Sequence, residues 1–174
     1  MSLTLPITHF WNGTPCKELS LHGSVTLNTT DGGILISATL PHQKTPNVPA
    51  SPAGSRVHNL WEHDVVECFL VGEDTYLEVE LGAGGHFLVL DFSAPRVRKN
   101  EYENFQPTLT YNPRHTEHSW SSSILIPPSM IPKKLSRANA FVIVGENFLA
   151  YAQTPGDHPN FHQPDTFPQL SLTF

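Results

Sequence analysis

Short segments of alternating apolar and polar residues, separated by proline- and glycine-rich stretches, constrain the fold of this sequence more than any other feature. The segments 3–7 and 34–40 carry apolar side chains at every second residue, which is the period of a β-strand. Proline is excluded from helix interiors, and 16 of the 174 residues are proline, so long helices are not expected. The pattern predicts an all-β protein, a jelly-roll-like antiparallel β-sandwich that forms a single domain over residues 1–174.

Ten segments have the composition of strands, and polar turns separate them. Asp31-Gly32-Gly33 lies between two alternating runs and predicts a hairpin turn. Two long proline-rich loops are expected at 41–59 and 153–168, and one short helical turn within 127–136. The predicted strands are 3–8, 25–28, 34–40, 65–71, 76–81, 87–92, 120–126, 140–145, 148–152 and 170–174.

Charge and composition exclude several classes of partner. The formal net charge is −6, from 16 acidic against 10 basic residues, which argues against a nucleic-acid or anionic-membrane partner. No apolar run approaches the roughly 18 residues of a membrane span, and the first residues lack the basic and apolar regions of a signal peptide. The two cysteines, Cys16 and Cys68, fit a reducing compartment. We therefore expect a cytoplasmic protein, and the oligomeric state is left open.

The three central predicted strands allow a prediction of register. Four-residue turns at 72–75 and 82–85 would place Glu67 opposite Glu80 and Glu78 opposite Val89. Because side chains alternate between the two faces of a sheet, one face is then wholly apolar, and burying it favours this register by about 1.5–3 kcal/mol per large side chain. The other face combines carboxylates with aromatic and aliphatic side chains: Val65, Glu67, Phe69, Tyr76, Glu78, Glu80, Phe87, Val89 and Asp91.

This acidic and aromatic face is the candidate site. Like charges that lie opposite each other on paired strands repel, so these acids require a cation, an arginine or a bound proton. Aromatic rings stack on the C–H faces of sugars, and carboxylates accept hydrogen bonds from hydroxyls. We therefore predict a groove for a carbohydrate or similar polyol. The predicted ligand-binding residues are Trp61, Glu67, Phe69, Tyr76, Glu78, Glu80, Phe87, Asp91, Phe161 and His162.

Two other interpretations of the same face are open at this point. The groove could belong to an enzyme acting on a small metabolite, an isomerase, cyclase or hydrolase, with Glu67, Glu80 or His162 transferring protons. Alternatively, one of the long loops could cover the face and supply an arginine from among Arg56, Arg96 and Arg98, which would leave a structural or interaction protein without a site.

Other motifs contribute little. The sequence has no nucleophile-elbow serine, P-loop or dinucleotide-binding glycine motif, and we expect no cofactor. A structural calcium ion is conceivable only at the turns Asp31-Gly32-Gly33 and Glu73-Asp74-Thr75, which lack EF-hand spacing. Cys68 is expected to point into the core, and Trp120 to pack there. Trp61, at the junction of the first long loop and a strand, is the expected exposed aromatic platform.

Five segments together resemble sandwich domains of the DOMON-like and family 9 carbohydrate-binding-module-like type. The likeness spans nearly the whole chain and is most specific at 60–81 and 155–167. The segments are Trp11-Asn12-Gly13 with Pro15, the run 60–70 (LWEHDVVECFL), the run 76–85 (YLEVELGAGG), Trp120 with Ile126-Pro127, and the run 157–167 (DHPNFHQPDTF).

The resemblance implies a β-sandwich with a sugar-binding ancestry. In family 9 modules, aromatic side chains clamp a terminal sugar and calcium ions support the fold, and only Trp61 matches a clamping position here. Haem-binding DOMON domains use methionine and histidine ligands. The methionines of this chain are Met1 and Met130, which disfavours haem. A closer resemblance is to a family of small free-standing proteins of this type.

Overall fold

The computed structural model describes residues 1–170 and consists of two antiparallel β-sheets. Every pair of neighbouring strands within these sheets is antiparallel, so the predicted β-sandwich is confirmed. The strands are β1 Ser2–Ile7, β2 His9–Phe10, β3 Gly23–Thr30, β4 Gly33–Pro41, β5 Val65–Val71, β6 Tyr76–Gly82, β7 Phe87–Ala94, β8 Val97–Asn100, β9 Leu109–Thr116, β10 Ser119–Ile126, β11 Arg137–Val144 and β12 Asn147–Ala150.

Helical structure is limited to four short 3₁₀ turns in the described part of the chain. They are Leu19–Leu21, Leu60–Glu62, Pro128–Met130 and Pro164–Thr166. The turn at Pro128–Met130 confirms the one expected within 127–136. The last predicted strand, 170–174, lies outside the described residues except for Leu170.

The smaller sheet has five strands in the order β1-β3-β4-β10-β9, and the larger has seven in the order β2-β12-β11-β5-β6-β7-β8. The predicted hairpin at Asp31-Gly32 joins β3 to β4, with Thr30 opposite Gly33. Strands β2, β8 and β9 were not expected. They are short or largely exposed, so they lack the apolar alternation from which strands are predicted.

The core lies between the two sheets. Its members from the larger sheet include Cys68, Leu77 and Val79, and those from the smaller sheet include Leu27 and Trp120, all 2% exposed or less. The predicted core positions of Cys68 and Trp120 are confirmed. Cys16 is also buried, and both cysteines are free thiols.

The opposite, outer face of the seven-stranded sheet is also buried. A second apolar cluster covers it, formed by β-strand residues such as Phe69 and Phe141 and by Phe161 and Phe167 from the segment 153–168. Phe161 stacks on Phe141, with ring centroids 3.9 Å apart and an interplanar angle of 11°. The second long loop therefore folds back over part of the predicted site. Val57 of the first long loop, and Trp61 in the 3₁₀ turn that follows it, also pack against this cluster.

Candidate functional site

The predicted register of the three central strands is correct for the first hairpin and wrong for the second. Between β5 and β6, Glu67 lies opposite Glu80 and Phe69 opposite Glu78, which confirms the first hairpin. Between β6 and β7 the pairing is shifted by one residue, because Glu80 lies opposite Leu88 and Glu78 opposite Leu90. A shift of one residue moves every side chain of a strand to the other face.

The second hairpin differs because its loop has three residues rather than four. The Gly82 N–H donates to the His86 carbonyl, and the Gly85 N–H donates to the Gly82 carbonyl, both at 2.9 Å. Gly85 adopts φ +83°, as expected for a three-residue hairpin loop that closes with a left-handed residue. The predicted sharing of one face by Phe87, Asp91 and the glutamates is therefore wrong.

Phe87 and Asp91 face the other side of the sheet. Phe87 belongs to the cluster between the sheets and contacts Phe105 edge to face. Asp91 lies opposite Leu77 and 3.8 Å from the Lys99 ammonium. Leu88, Leu90 and Phe92 take their places on the outer face.

Three glutamates converge on that outer face. Glu67, Glu78 and Glu80 are 2%, 4% and 0% exposed, and each offers a carboxylate oxygen within 4.8 Å of those of the other two. Both oxygens of Glu80 lack a hydrogen-bond donor. In residues 1–170, no lysine or arginine nitrogen lies within 4.0 Å of these carboxylates. The alternative in which Arg56, Arg96 or Arg98 neutralises the acids is thus not realised by a direct ion pair.

Burial therefore dominates the protonation of this cluster. It raises the pKa of Glu78 to about 8, against a smaller lowering by Arg98 and Arg96. Burial, and then repulsion from neighbouring glutamates, holds the pKa values of Glu67 and Glu80 well above the usual carboxyl range. Unless a cation enters, these raised pKa values favour the protonated carboxyl groups, which can donate hydrogen bonds as well as accept them.

His162 connects the cluster to a short hydrogen-bonded chain. Its Nδ1 lies 2.7 Å from the Tyr76 hydroxyl, which accepts a hydrogen bond from the Arg96 backbone N–H at 3.1 Å. Burial, followed by the nearby Arg96 and Arg98 charges, lowers the pKa of His162 to about 4. The imidazole is therefore neutral at pH 7; its Nδ1 shares a hydrogen bond with the Tyr76 hydroxyl, and its Nε2 lies 3.9 Å from Glu78 Oε2.

A cavity of about 390 Å³ opens beside these groups, within the usual 300–1,000 Å³ range of small-molecule sites. Glu67, Glu78 and His162 line it, together with aromatic and aliphatic groups and two arginines. The full lining is Trp61, Glu67, Glu78, Leu90, Phe92, Arg96, Arg98, Ile143, Phe148, Pro159, Phe161 and His162.

The structure brings together eight of the ten predicted site residues. Trp61, Glu67, Glu78, Phe161 and His162 line the cavity, and Trp61 is half-buried. Behind them on the same face, Phe69 contacts His162 edge to face, Tyr76 holds the imidazole, and Glu80 completes the acidic cluster. Phe87 and Asp91 do not take part.

Sequence reasoning missed three polar or aromatic groups that line the cavity. Arg96 and Arg98 come from the β7–β8 hairpin, and Phe148 from β12. The Arg98 guanidinium lies 5.5 Å from the centre of the Trp61 ring and 2.7 Å from Glu101. Arg96 and Arg98 were considered only as covering charges, because strand β8 was not recognised and nothing placed the arginines at the rim of a cavity.

Only one group of converging metal-ligating side chains exists within residues 1–170, namely Glu67, Glu78 and Glu80. Such an all-oxygen set suits a hard divalent cation. The two turns considered for calcium do not form such a group: Asp31 lies in the β3–β4 hairpin, and Glu73 pairs with Lys134 at 2.6 Å.

The chain is similar to a group of vertebrate proteins over most of its length. The human "UPF0462 protein C4orf33" is 30% identical over 168 residues, which span 90% of this chain and 81% of the human protein. The chain belongs to the UPF0462 family. The rat and zebrafish homologues of that protein are 29% and 27% identical, each over 95% of this chain and 86% and 87% of their own lengths. No protein-family model matches the chain.

The UPF0462 sandwich also resembles a solved structure. A "putative carbohydrate-binding protein" from Bacteroides uniformis superposes with a TM-score of 0.72 at 18% identity, covering 96% of this chain and 84% of the other. At this identity the likeness shows the β-sandwich fold alone. Within residues 1–170, no helix is long and apolar enough to cross a membrane.

Proposed function

We propose that this UPF0462 protein acts as a single domain that binds a small polyhydroxylated molecule, a sugar or polyol, in the cavity on the outer face of its larger sheet. One observation carries the proposal: the cavity joins buried, hydrogen-bonding carboxyl groups to aromatic rings. Glu67 and Glu78 offer the carboxyl groups, and Trp61, Phe148 and Phe161 offer the rings. Sugars present hydroxyls and apolar C–H faces together, which this lining matches.

Two further observations support it. The Bacteroides protein of similar fold is named for carbohydrate binding, and the segments around Trp61 and Phe161 resemble those of family 9 carbohydrate-binding modules. The two free, buried cysteines fit a reducing compartment, so we place the protein in the cytoplasm and its ligand among small metabolites.

The test is to titrate the protein with monosaccharides and polyols and to measure binding by thermal shift and calorimetry. Glu67→Leu removes both carboxyl oxygens and should weaken binding at least 10-fold. Asp91→Asn is the matched control, since this acid lies on the opposite face of the same sheet and its change should leave affinity unaltered. Equal binding by wild type and Glu67→Leu would remove the cavity from consideration.

A second candidate function, proton transfer on a bound metabolite by an isomerase, cyclase or hydrolase, is favoured by the Glu78–His162 pair. An acid whose pKa lies near 8 is well matched to proton transfer at neutral pH, and the imidazole Nε2 is 3.9 Å away. Glu78→Gln separates the two functions, because the amide keeps hydrogen bonding but carries no transferable proton. Turnover is measured by proton NMR of the ligand. If Glu78→Gln retains binding but abolishes turnover, the protein is an enzyme. If the wild-type protein shows no turnover, the binding function remains.

A further inference from the structure

Arg96 occupies a backbone position that normally favours glycine. Ala94 and Val97 are paired, so the β7–β8 hairpin has the two-residue loop Pro95-Arg96. Arg96 adopts φ +62°, a left-handed conformation that turns of this kind usually assign to glycine or asparagine. A residue held in such a conformation is a reason to look for a function of its side chain.

The Arg96 side chain is exposed and lines the cavity, so it stands at the open edge rather than on the floor. Its guanidinium donates to the Asn160 side-chain oxygen at 3.0 Å. Within residues 1–170 no carboxylate lies within 4.0 Å of it. Arg98, by contrast, pairs with Glu101 at 2.7 Å, and Arg56 lies 3.9 Å from the same carboxylate.

Neutralisation of the buried glutamates does not account for Arg96. Its guanidinium lies within 4.0 Å of none of their carboxylate oxygens, and its charge lowers the pKa values of Glu67 and Glu78 by less than burial raises them. The cavity thus has hydrogen-bonding carboxyl groups on its floor, whose raised pKa values favour the uncharged form, and a positive group with spare donors at its rim. Arginine presents a planar fork that matches the oxygens of a carboxylate or a phosphate.

We propose that Arg96 binds an anionic group of the ligand, a carboxylate or a phosphate, and that the ligand is therefore an acidic sugar or polyol. The inference rests on the function proposed above and narrows its ligand class. The anionic group lies at the rim, and the hydroxyls point toward Glu67 and Glu78.

The test uses neutral hexoses, hexuronates and hexose 6-phosphates of the gluco, galacto and manno series, titrated by calorimetry at constant ionic strength. The wild-type chain should bind an acidic probe at least 10-fold more tightly than its neutral counterpart. Comparison of uronates with phosphates identifies which anion is preferred. Arg96→Gly should reduce the preference for acidic probes to about one, and Arg96→Lys should retain part of it.

Arg96→Gly has a matched control in Lys134→Gly. Lys134 also adopts a left-handed backbone, φ +50°, and lies outside the cavity lining. Glycine fits both positions, so both variants should fold with a Tm equal to or above that of wild type, and only Arg96→Gly should lose the preference for acidic probes.

The outcomes separate the two proposals. Equal affinity for neutral and acidic probes, or a preference that survives in Arg96→Gly, would overturn the role of Arg96 and leave sugar binding intact. If no member of the panel binds, both proposals fail.

Discussion

The two faces of the seven-stranded sheet are both buried, yet they are built differently. The inner face is apolar around residues such as Leu77 and Val79, with Asp91 near its β8 edge, and it packs on the other sheet. The outer face buries Glu67, Glu78 and Glu80 among aromatic rings. Burying an uncompensated carboxyl group costs free energy, so the inner face contributes to stability, whereas the three glutamates of the outer face work against it.

The largest change in stability should come from a substitution on the inner face. Leu77 is completely buried, and Leu77→Ala should lower the free energy of unfolding by about 2–5 kcal/mol through lost burial and a cavity. Urea denaturation measures the change. A loss below about 1 kcal/mol would mean that this face is not the main core.

The β6–β7 turn determines which β7 side chains lie on each face of the sheet. Disruption of this turn should have the second-largest effect on stability. Gly85 has φ +83°, and a Cβ there would meet the Tyr111 ring at 2.6 Å. Gly85→Ala should therefore destabilise by about 2–3 kcal/mol, from backbone strain and overpacking.

Gly145→Ala is the comparison for this turn. Gly145 has φ +57° with open space around it, so its alanine variant should cost only about 1 kcal/mol for the left-handed backbone. Equal losses in urea denaturation would contradict the close packing of Gly85 that accompanies the three-residue loop.

A substitution on the outer face should raise the stability, whereas the substitution on the inner face should lower it. Glu80→Met removes two buried oxygens without donors and keeps an unbranched side chain. We expect a gain of about 1–3 kcal/mol in the free energy of unfolding, the usual cost of unsatisfied buried groups. Destabilisation by Glu80→Met in metal-free buffer would show that the carboxyl group makes a stabilising contact.

The smallest expected effect is a dependence of the free energy of unfolding on pH, which arises from groups on the outer face. The pKa of Glu78 rises from 4.5 to about 8 on folding, so the folded chain binds more protons and stability falls as pH rises between those values. The pKa of His162 falls from 6.5 to about 4, which gives the reverse trend between pH 4 and 6.5. From pH 6.5 to 8 the His162 contribution is constant, and the titration of Glu78 alone should lower the free energy of unfolding by about 1–2 kcal/mol.

Thermal and urea unfolding at pH 6.5 and 8 measure this drop. Glu78→Gln should reduce it, while Glu117→Gln, a change at a fully solvated position, should not. A rise in stability over this interval in wild type would contradict the protonation of the cluster.

The fold and the glutamate pair were predictable, because alternation and the turn at 72–75 act over a few residues. The run 65–71 and the run 76–82 have an apolar face and an acidic face, and only one register keeps the acids together, so Glu67 opposite Glu80 followed from local pattern. Strand β7 carried no such information. Its residues Phe87, Leu88, Val89 and Leu90 are apolar at consecutive positions, so either register buries an equivalent set.

What the sequence alone determined is the all-β architecture and, on strands β5 and β6, the apolar inner side and the acidic outer side, because period-two patterning and turn chemistry are properties of neighbouring residues. The tertiary structure decided the β7 register, the folding of Phe161 and His162 over the sheet, and the arrival of Arg96 at the cavity rim. These depend on the left-handed conformation of a single glycine and on contacts between segments that are separated in the sequence, which no local pattern encodes.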